Sequence, residues 1–173
     1  MVIKFVGAFL IISATTLIGY IYSNIYNLRV KELRELQYGI QMLETEMVYG
    51  YSPLPEALDS VSRRISDNIS LLFSETSKKL RSKNGLSVSE AWSLTLNALM
   101  PKTSLTAVER DILLAFGESL GTSDVKNQSR NFKLTLTLLK QEELKAVELR
   151  DKNVKMYRNL GFLFGLALVI ILI

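Results

Sequence analysis

Phe5 to Tyr22 is a run of 18 residues without a charge, and the uncharged stretch continues to Leu28. A helix of that length crosses the roughly 30 Å hydrocarbon layer at 1.5 Å per residue. Few other structures can do so, because an unpaired amide in lipid costs several kcal/mol. A cleaved signal peptide competes with this reading. Against it, Lys4 is the only charge ahead of the run, and no small-x-small cleavage site follows. The other end, Leu160 to Ile173, is apolar on every side but spans only about 21 Å as a helix, so crossing requires local thinning of the bilayer. An interfacial helix would need a polar face, and this segment has none. The chain therefore divides into an N-terminal transmembrane segment (1–28), a cytoplasmic helical domain (29–158) and a C-terminal transmembrane segment (159–173).

Orientation follows from the flanking bases. Arg29, Lys31 and Arg34 come after the first segment, and Arg150, Lys152, Lys155 and Arg158 precede the second, against Lys4 alone outside. The positive-inside rule makes the middle cytoplasmic and puts both termini on the other side. Small residues mark helix-packing candidates within the lipid: Thr15 with Gly19, and the Gly-x-x-x-Gly pair Gly161 and Gly165. No ionisable residue lies inside either apolar segment, which argues against an ion path through one chain.

The middle carries 20 of the 21 Lys and Arg and all 17 Asp and Glu, interspersed as on solvated helix faces. A nucleic-acid binder would show a concentrated basic stripe, so none is expected as a partner. The absence of Cys excludes disulfides and thiolate chemistry.

Helical periodicity fills the middle. Leu33, Leu36, Ile40, Leu43 and Met47 recur at three- and four-residue steps with no breaker between them and the membrane segment, predicting one long helix to Gly50. Ser52-Pro53-Leu54-Pro55 then starts a helix with Leu54, Leu58, Val61 and Ile65 on one face, and Ile69, Leu72, Phe73 and Leu80 define a third. Ser87 and Glu90 form a capping box ahead of Ala91, Trp92, Leu96 and Leu99, and Pro101 closes that helix. A helix from Ser104 is expected to bury Leu105, Val108, Ile112, Phe116 and Leu120, with Gly121 as its cap. A last helix from about Asp124 carries Phe132, Leu136, Leu139, Ala146, Leu149 and Met156 on one side and runs into the tail. No two-residue alternation suggests a strand. The expected fold is all-α: a helical bundle whose long helices are continuous with both membrane segments.

Chemistry finds little foothold. With no His, the Ser-His-Asp triad, the zincin motif and imidazole metal ligation are excluded, and no phosphate-binding Gly-rich loop is present. Ser123-Asp124-Val125-Lys126 fits Ser-x-x-Lys, but a helix cap explains Ser123 more simply. Glu44 with Glu46, and Glu142 with Glu143, do not share a helical face and read as solvated charge. Trp92 reads as a core residue. The chain is expected to be no enzyme and to hold no cofactor or metal.

Longer stretches carry a resemblance. Leu43-Glu44-Thr45-Glu46-Met47-Val48-Tyr49-Gly50-Tyr51-Ser52-Pro53-Leu54-Pro55-Glu56-Ala57-Leu58 resembles the stage III sporulation protein AB family. So do Ala91-Trp92, Phe116-Gly117-Glu118-Ser119-Leu120-Gly121 with Asp124 and Gln128, and Lys155-Met156-Tyr157-Arg158-Asn159-Leu160-Gly161-Phe162-Leu163. The helical domain is also similar to the cytoplasmic domains of type II secretion and type IV pilus platform proteins, where a Pro-Leu-x-x-Ala-Leu element starts a helix. Pro53 to Leu58 fits that element, although Tyr51 and Ser52 stand where platform proteins commonly have Gly.

The resemblance implies a component of the mother cell–forespore membrane complex of spore-forming bacteria, in the outer forespore membrane on the mother-cell side. It implies as partners a hexameric secretion-type ATPase, which this chain would anchor and couple to the channel, and other membrane components of that complex. One domain where platform proteins have two leaves a homo-dimer or higher oligomer as a way to restore the pair. The expected partner surface is the turn Gly50–Glu56, with Pro53 and Leu54, and the acids Glu44, Glu46, Glu56 and Glu118. The alternative is a membrane-anchored signalling or scaffold bundle, disfavoured because the orientation leaves almost no extracytoplasmic sensing region.

Overall fold

In a computed structural model, the structure describes residues 2–82, 85–120 and 125–172. The expected caps at Gly121 and Ser123 lie outside them. The described residues form six α-helices and no strand: α1 (Val2–Glu44), α2 (Leu54–Ser62), α3 (Asp67–Arg81), α4 (Val88–Leu99), α5 (Ala107–Leu120) and α6 (Val125–Leu172). A π-helical turn, Thr45–Tyr49, extends α1, and a short 3-10 turn, Met100–Lys102, follows α4. The chain divides into two compact units, residues 31–144 and residues 1–30 with 145–173.

The 31–144 unit is a bundle. Leu33, Leu36, Ile40 and Leu43 of α1 are fully buried, as their spacing predicts, and so are Leu58, Val61, Ile69, Leu72 and Phe73 of α2 and α3. Gly39 of α1 has no room for a side chain, since a Cβ there would lie 2.4 Å from Ile65 Cδ1 and 2.8 Å from Phe73 Cζ. Four aromatic rings on four helices tie the bundle together edge to face. Phe73 meets Trp92 at 5.9 Å, Trp92 meets Phe116 at 5.6 Å, and Phe116 meets Phe132 at 5.2 Å. Each such pair adds about 0.5–1.5 kcal/mol beyond area burial. Trp92 is wholly buried and its indole N–H donates to the Leu113 carbonyl at 2.7 Å, which satisfies the polar edge of the largest core side chain. Gly117 is required by the same ring, because a Cβ there would meet Trp92 Cδ1 at 2.2 Å.

The Ser87–Glu90 capping box forms as expected: Glu90 N–H donates to Ser87 Oγ and Ser87 N–H to the Glu90 carboxylate. The backbone N–H and then the hydroxyl of Ser87 hold the Glu90 carboxyl below its ordinary range.

The face expected for α5 is corrected. The helix begins at Ala107, and Thr106 caps it by donating its N–H and hydroxyl to the Glu109 carboxylate. The buried positions are therefore Glu109, Leu113, Phe116, Gly117 and Leu120. Val108, expected inside, is 52% exposed. Leu105 is buried but precedes the helix, so it could not set the register.

In the unit formed by residues 1–30 and 145–173, the ring of Tyr157 stacks on Tyr22 at 6.4 Å and on Tyr26 at 6.0 Å. Phe9, Leu10, Leu17, Ile18, Ile21 and Ile25 are exposed, the pattern of a helix whose solvent is lipid. Among the described residues one helix is long and apolar enough to cross a membrane, over Phe9–Tyr49. Leu149 and Met156, expected on the buried side of α6, are exposed. The apolar tail is part of α6, but length and hydropathy do not show a second crossing there. The expectation of one crossing at each end therefore stands on the N-terminal segment alone.

Candidate functional site

The residues singled out at the end of α1 form a built turn. Gly50 N–H donates to the Thr45 carbonyl at 3.0 Å, the five-residue spacing that defines the π turn, and Ser52 N–H donates to the Glu46 carbonyl at 3.0 Å. Gly50 is needed for close approach rather than for unusual torsions: its φ is −84°, but a Cβ would stand 2.7 Å from the Glu46 carbonyl oxygen. The unusual torsion falls on the next residue. Tyr51 has φ +51°, the left-handed region that a bulky residue enters at a cost of about 1–2 kcal/mol.

Pro53 then caps α2 at φ −54° and ψ 139°, and its carbonyl accepts from Glu56 N–H at 2.9 Å and Ala57 N–H at 3.0 Å. Pro55 is tied to α3, its carbonyl accepting from Ser77 Oγ at 2.7 Å. Leu54 is half-buried, whereas Gly50, Tyr51, Pro53 and Glu56 are exposed. Glu56 lies in the first turn of α2, where its charge complements the helix dipole.

The acids named with this turn differ in what they do. Glu46 accepts from Ser60 Oγ at 3.0 Å and Ser52 Oγ at 3.2 Å, locking the turn onto α2. Glu44 accepts from Ser129 Oγ of α6 at 3.1 Å. Glu46 therefore locks the turn, Glu44 ties the end of α1 to α6, and Glu118 is exposed on α5. Just beyond, Glu56, Asp59, Ser60, Arg63, Arg64 and Arg81 line an open cleft of about 530 Å³, in which Asp59 pairs with Arg63 and Arg81.

Four acids that sequence reasoning left unassigned or called solvated are buried. Glu32 accepts from Ser104 N–H at 2.7 Å. Glu109 is the α5 cap described above. Glu143, only 4% exposed, accepts from Lys140 Nζ at 2.6 Å, Arg34 Nε at 2.7 Å and Gln37 Nε2 at 3.1 Å. Burial alone would raise its carboxyl, but the bonds from Lys140, Arg34 and Gln37 outweigh that and hold it at about 2. Glu142 is also buried. The solvated reading of Glu142 and Glu143 is thus wrong, because α6 packs on α1 across both. The Lys140–Glu143 spacing of three was a usable signal, and so was Thr106-x-x-Glu109 as a capping box. These bonds place Glu143 in a structural pairing of α1 with α6. Among the described residues no group of three or more acids is arranged to hold a metal ion.

Thr15 and Gly19 lie on an apolar groove of about 600 Å³, whose other walls include Tyr22, Tyr157, Leu160 and Phe164. The surroundings of Gly161 and Gly165 lie outside the described residues.

Comparison with known proteins agrees with the residue blocks. The chain is 37% identical over 170 residues to a stage III sporulation protein AB of Bacillus subtilis (strain 168), covering 98% of this chain and 99% of that one. A solved structure of a stage III sporulation protein AB matches at a TM-score of 0.68 and 33% identity, covering 72% of this chain and 98% of that one. The family model for stage III sporulation protein AB matches residues 4–173. This chain therefore belongs to the stage III sporulation protein AB family.

Proposed function

We propose that the protein is a non-enzymatic membrane component of the complex between mother cell and forespore, placed in the outer forespore membrane. Its helical body faces the mother-cell cytoplasm, and its role is to anchor a hexameric secretion-type ATPase and couple it to the membrane channel. The observation that carries this reading is α1. One helix bears both the exposed apolar residues Phe9, Leu17, Ile18 and Ile25 and the fully buried seam Leu33, Leu36, Ile40 and Leu43. It joins a lipid-facing segment to a packed body without a break. The likeness to secretion platform proteins supports the ATPase as partner.

The same reading gives α6 a second crossing. Its end carries the exposed apolar residues Leu160, Leu163, Phe164 and Ile170, preceded by Arg150, Lys152 and Lys155 on the cytoplasmic side. Tyr22, Tyr26 and Tyr157 are of the residue type that collects at the headgroup level.

Two measurements test the proposal. Full-length protein in nanodiscs should retain the purified sporulation ATPase hexamer, and a failure of that capture under conditions where both partners are folded removes the coupling role. Reporter fusions near Asn84 should report the cytoplasm and fusions after Ile173 the opposite side. A cytoplasmic reporter at the C-terminus removes the second crossing.

A further inference from the structure

From Glu35 to Ser62 the chain has five acids and no Lys or Arg; Glu35 pairs with Lys31 and Asp59 with Arg63 and Arg81, which leaves Glu44, Glu46 and Glu56 as the acids that flank the turn. At the apex of that acidic stretch stand two tyrosines that the fold does not use. Tyr49 is 73% exposed and Tyr51 is 81% exposed, and neither ring stacks on another among the described residues. Of the other aromatics of the 31–144 bundle, Phe73, Trp92, Phe116 and Phe132 are inside and Tyr38 on α1 is 53% exposed, so Tyr49 and Tyr51 are the two most exposed rings of that unit. Between the two tyrosines the backbone is fixed. The π turn, the Ser52 N–H to Glu46 bond and the Glu46 carboxylate bridging Ser52 and Ser60 hold Gly50 and Tyr51 in one conformation. A bulky side chain is thereby kept in the left-handed region, at a position that glycine would occupy without strain.

We infer that this turn is the anchor of a docking surface for an arginine-bearing face of a protein partner, with Tyr49 and Tyr51 as the contacting groups and the surrounding carboxylates as the attracting field. Tyrosine supplies large contact area at little conformational-entropy cost and is enriched among residues that dominate interfaces. Its ring face attracts a guanidinium, which stacks flat on it, better than a compact ammonium. In the adjoining cleft Asp59 is neutralised by Arg63 and Arg81, so the field at the turn comes from Glu44, Glu46 and Glu56, and it favours a cationic occupant. The tyrosines make that cation arginine rather than lysine. The carboxylates of Glu44 and Glu46 accept from serines of α6 and of the turn and α2, so they contribute charge, while the rings make the contact. This deepens the anchoring role proposed above and rests on it only for the identity of the partner.

Two probes test it on the full-length protein in a non-ionic detergent. The first is a nona-arginine peptide, with nona-lysine as its charge-matched control; the second is the sporulation ATPase hexamer. The variants are Tyr51→Gly, Tyr49→Ala and the pair together. Tyr51→Gly relieves the left-handed torsion, so it should melt no lower than the wild type, and loss of binding cannot then be ascribed to unfolding. The wild type should bind nona-arginine more tightly than nona-lysine, and the double variant should lose about tenfold in nona-arginine affinity and become indifferent to the choice of peptide. A double variant that still prefers nona-arginine as the wild type does overturns the inference, whatever the ATPase does. Equal binding of the two peptides by the wild type overturns it as well. If the peptide result holds and the wild type also captures the ATPase, the double variant should fail to capture it, and undiminished capture places the ATPase contact elsewhere and refutes the anchor. If the peptide result holds and the wild type captures no ATPase, the arginine-binding turn stands and the identity of the proposed partner falls.

Discussion

Replacing Gly117 with Ala should destabilise the bundle, although Ala is the better helix former by about 1 kcal/mol. The new Cβ would stand 2.2 Å from Trp92 Cδ1, 2.7 Å from Cγ and 3.0 Å from Nε1, roughly 1.2 Å inside ordinary contact at its nearest point. The indole has nowhere to go. Phe73 and Phe116 meet it edge to face, and its N–H is committed to the Leu113 carbonyl. Forcing a methyl into such a core costs about 1–3 kcal/mol, and losing the indole hydrogen bond about 1 kcal/mol more. After the propensity gain the net is about 1–3 kcal/mol, a fall in melting temperature of roughly 4–12 °C for a body of this size. Trp92 is the only tryptophan, so its emission reports the site directly and should shift to the red as the ring is displaced. Trp92→Ala removes the overlapping Cγ, Cδ1 and Nε1, so Gly117→Ala should cost less in that background, with a coupling of about 1 kcal/mol or more in the double-mutant cycle. A Gly117→Ala protein that melts at or above the wild type with unchanged emission would refute the packing argument. A coupling of zero would do the same.

Glu143→Gln should lower stability at neutral pH by about 1–2 kcal/mol. The drop from the ordinary 4.5 to about 2 would be worth roughly 3 kcal/mol unscreened, but Arg34 and Lys140 are more than half exposed and solvent reduces it. Because the folded carboxyl is depressed, its contribution is present above the unfolded value near 4.5 and is lost as pH falls through about 2. Denaturation midpoints of the Gln variant should therefore change less than those of the wild type between pH 5 and 2, and parallel curves would contradict this. Glu46→Ala should cost about 1–2 kcal/mol in urea because it strands two serine hydroxyls, whereas exposed Glu56→Ala should stay within about 0.5 kcal/mol; equal losses would mean that Glu46 does not lock the turn. Residues 29–158 expressed alone should be soluble and give the circular dichroism of a mainly helical protein, and a strand spectrum would overturn the assignment of that body as an independent bundle.

The parts of the fold that were legible in the sequence are those where a local pattern and the tertiary structure demand the same thing. The α1 seam is buried at Leu33, Leu36, Ile40 and Leu43 because a three-four spacing can face only one neighbour. Ser87 and Glu90 cap α4 because both partners of the cap lie within four residues. The α5 face was misread where two local signals competed. Leu105 and Val108 fit a helical face from Ser104, but Thr106 and Glu109 make a cap that delays the helix and turns Val108 outward. The burial of Glu32 and Glu143 was not legible, because their partners Ser104 and Arg34 are remote in sequence and only packing brings them together. Gly117 was visible as part of a family block, but its reason appears only when Trp92 arrives from another helix.

The candidate turn shows how a correct location can carry the wrong emphasis. Its position followed from Gly50, Pro53 and Pro55, which punctuate any helical sequence. Charge made the acids the conspicuous residues, and a surface chosen by charge alone would give Glu44 and Glu46 the same standing as Glu56. The hydrogen bonds separate them: Glu46 shapes the turn from within, Glu44 ties the end of α1 to α6, and Glu56 stands in the first turn of α2. Substituting Glu46 therefore changes the conformation of Gly50 to Ser52 along with the surface charge, so loss of a partner in such a variant would not identify a contact. Tyr51 separates the two effects, because its side chain lies outside the framework while its backbone favours glycine. A substitution that relaxes the backbone and removes the ring moves stability and binding in opposite directions, which a framework residue cannot do.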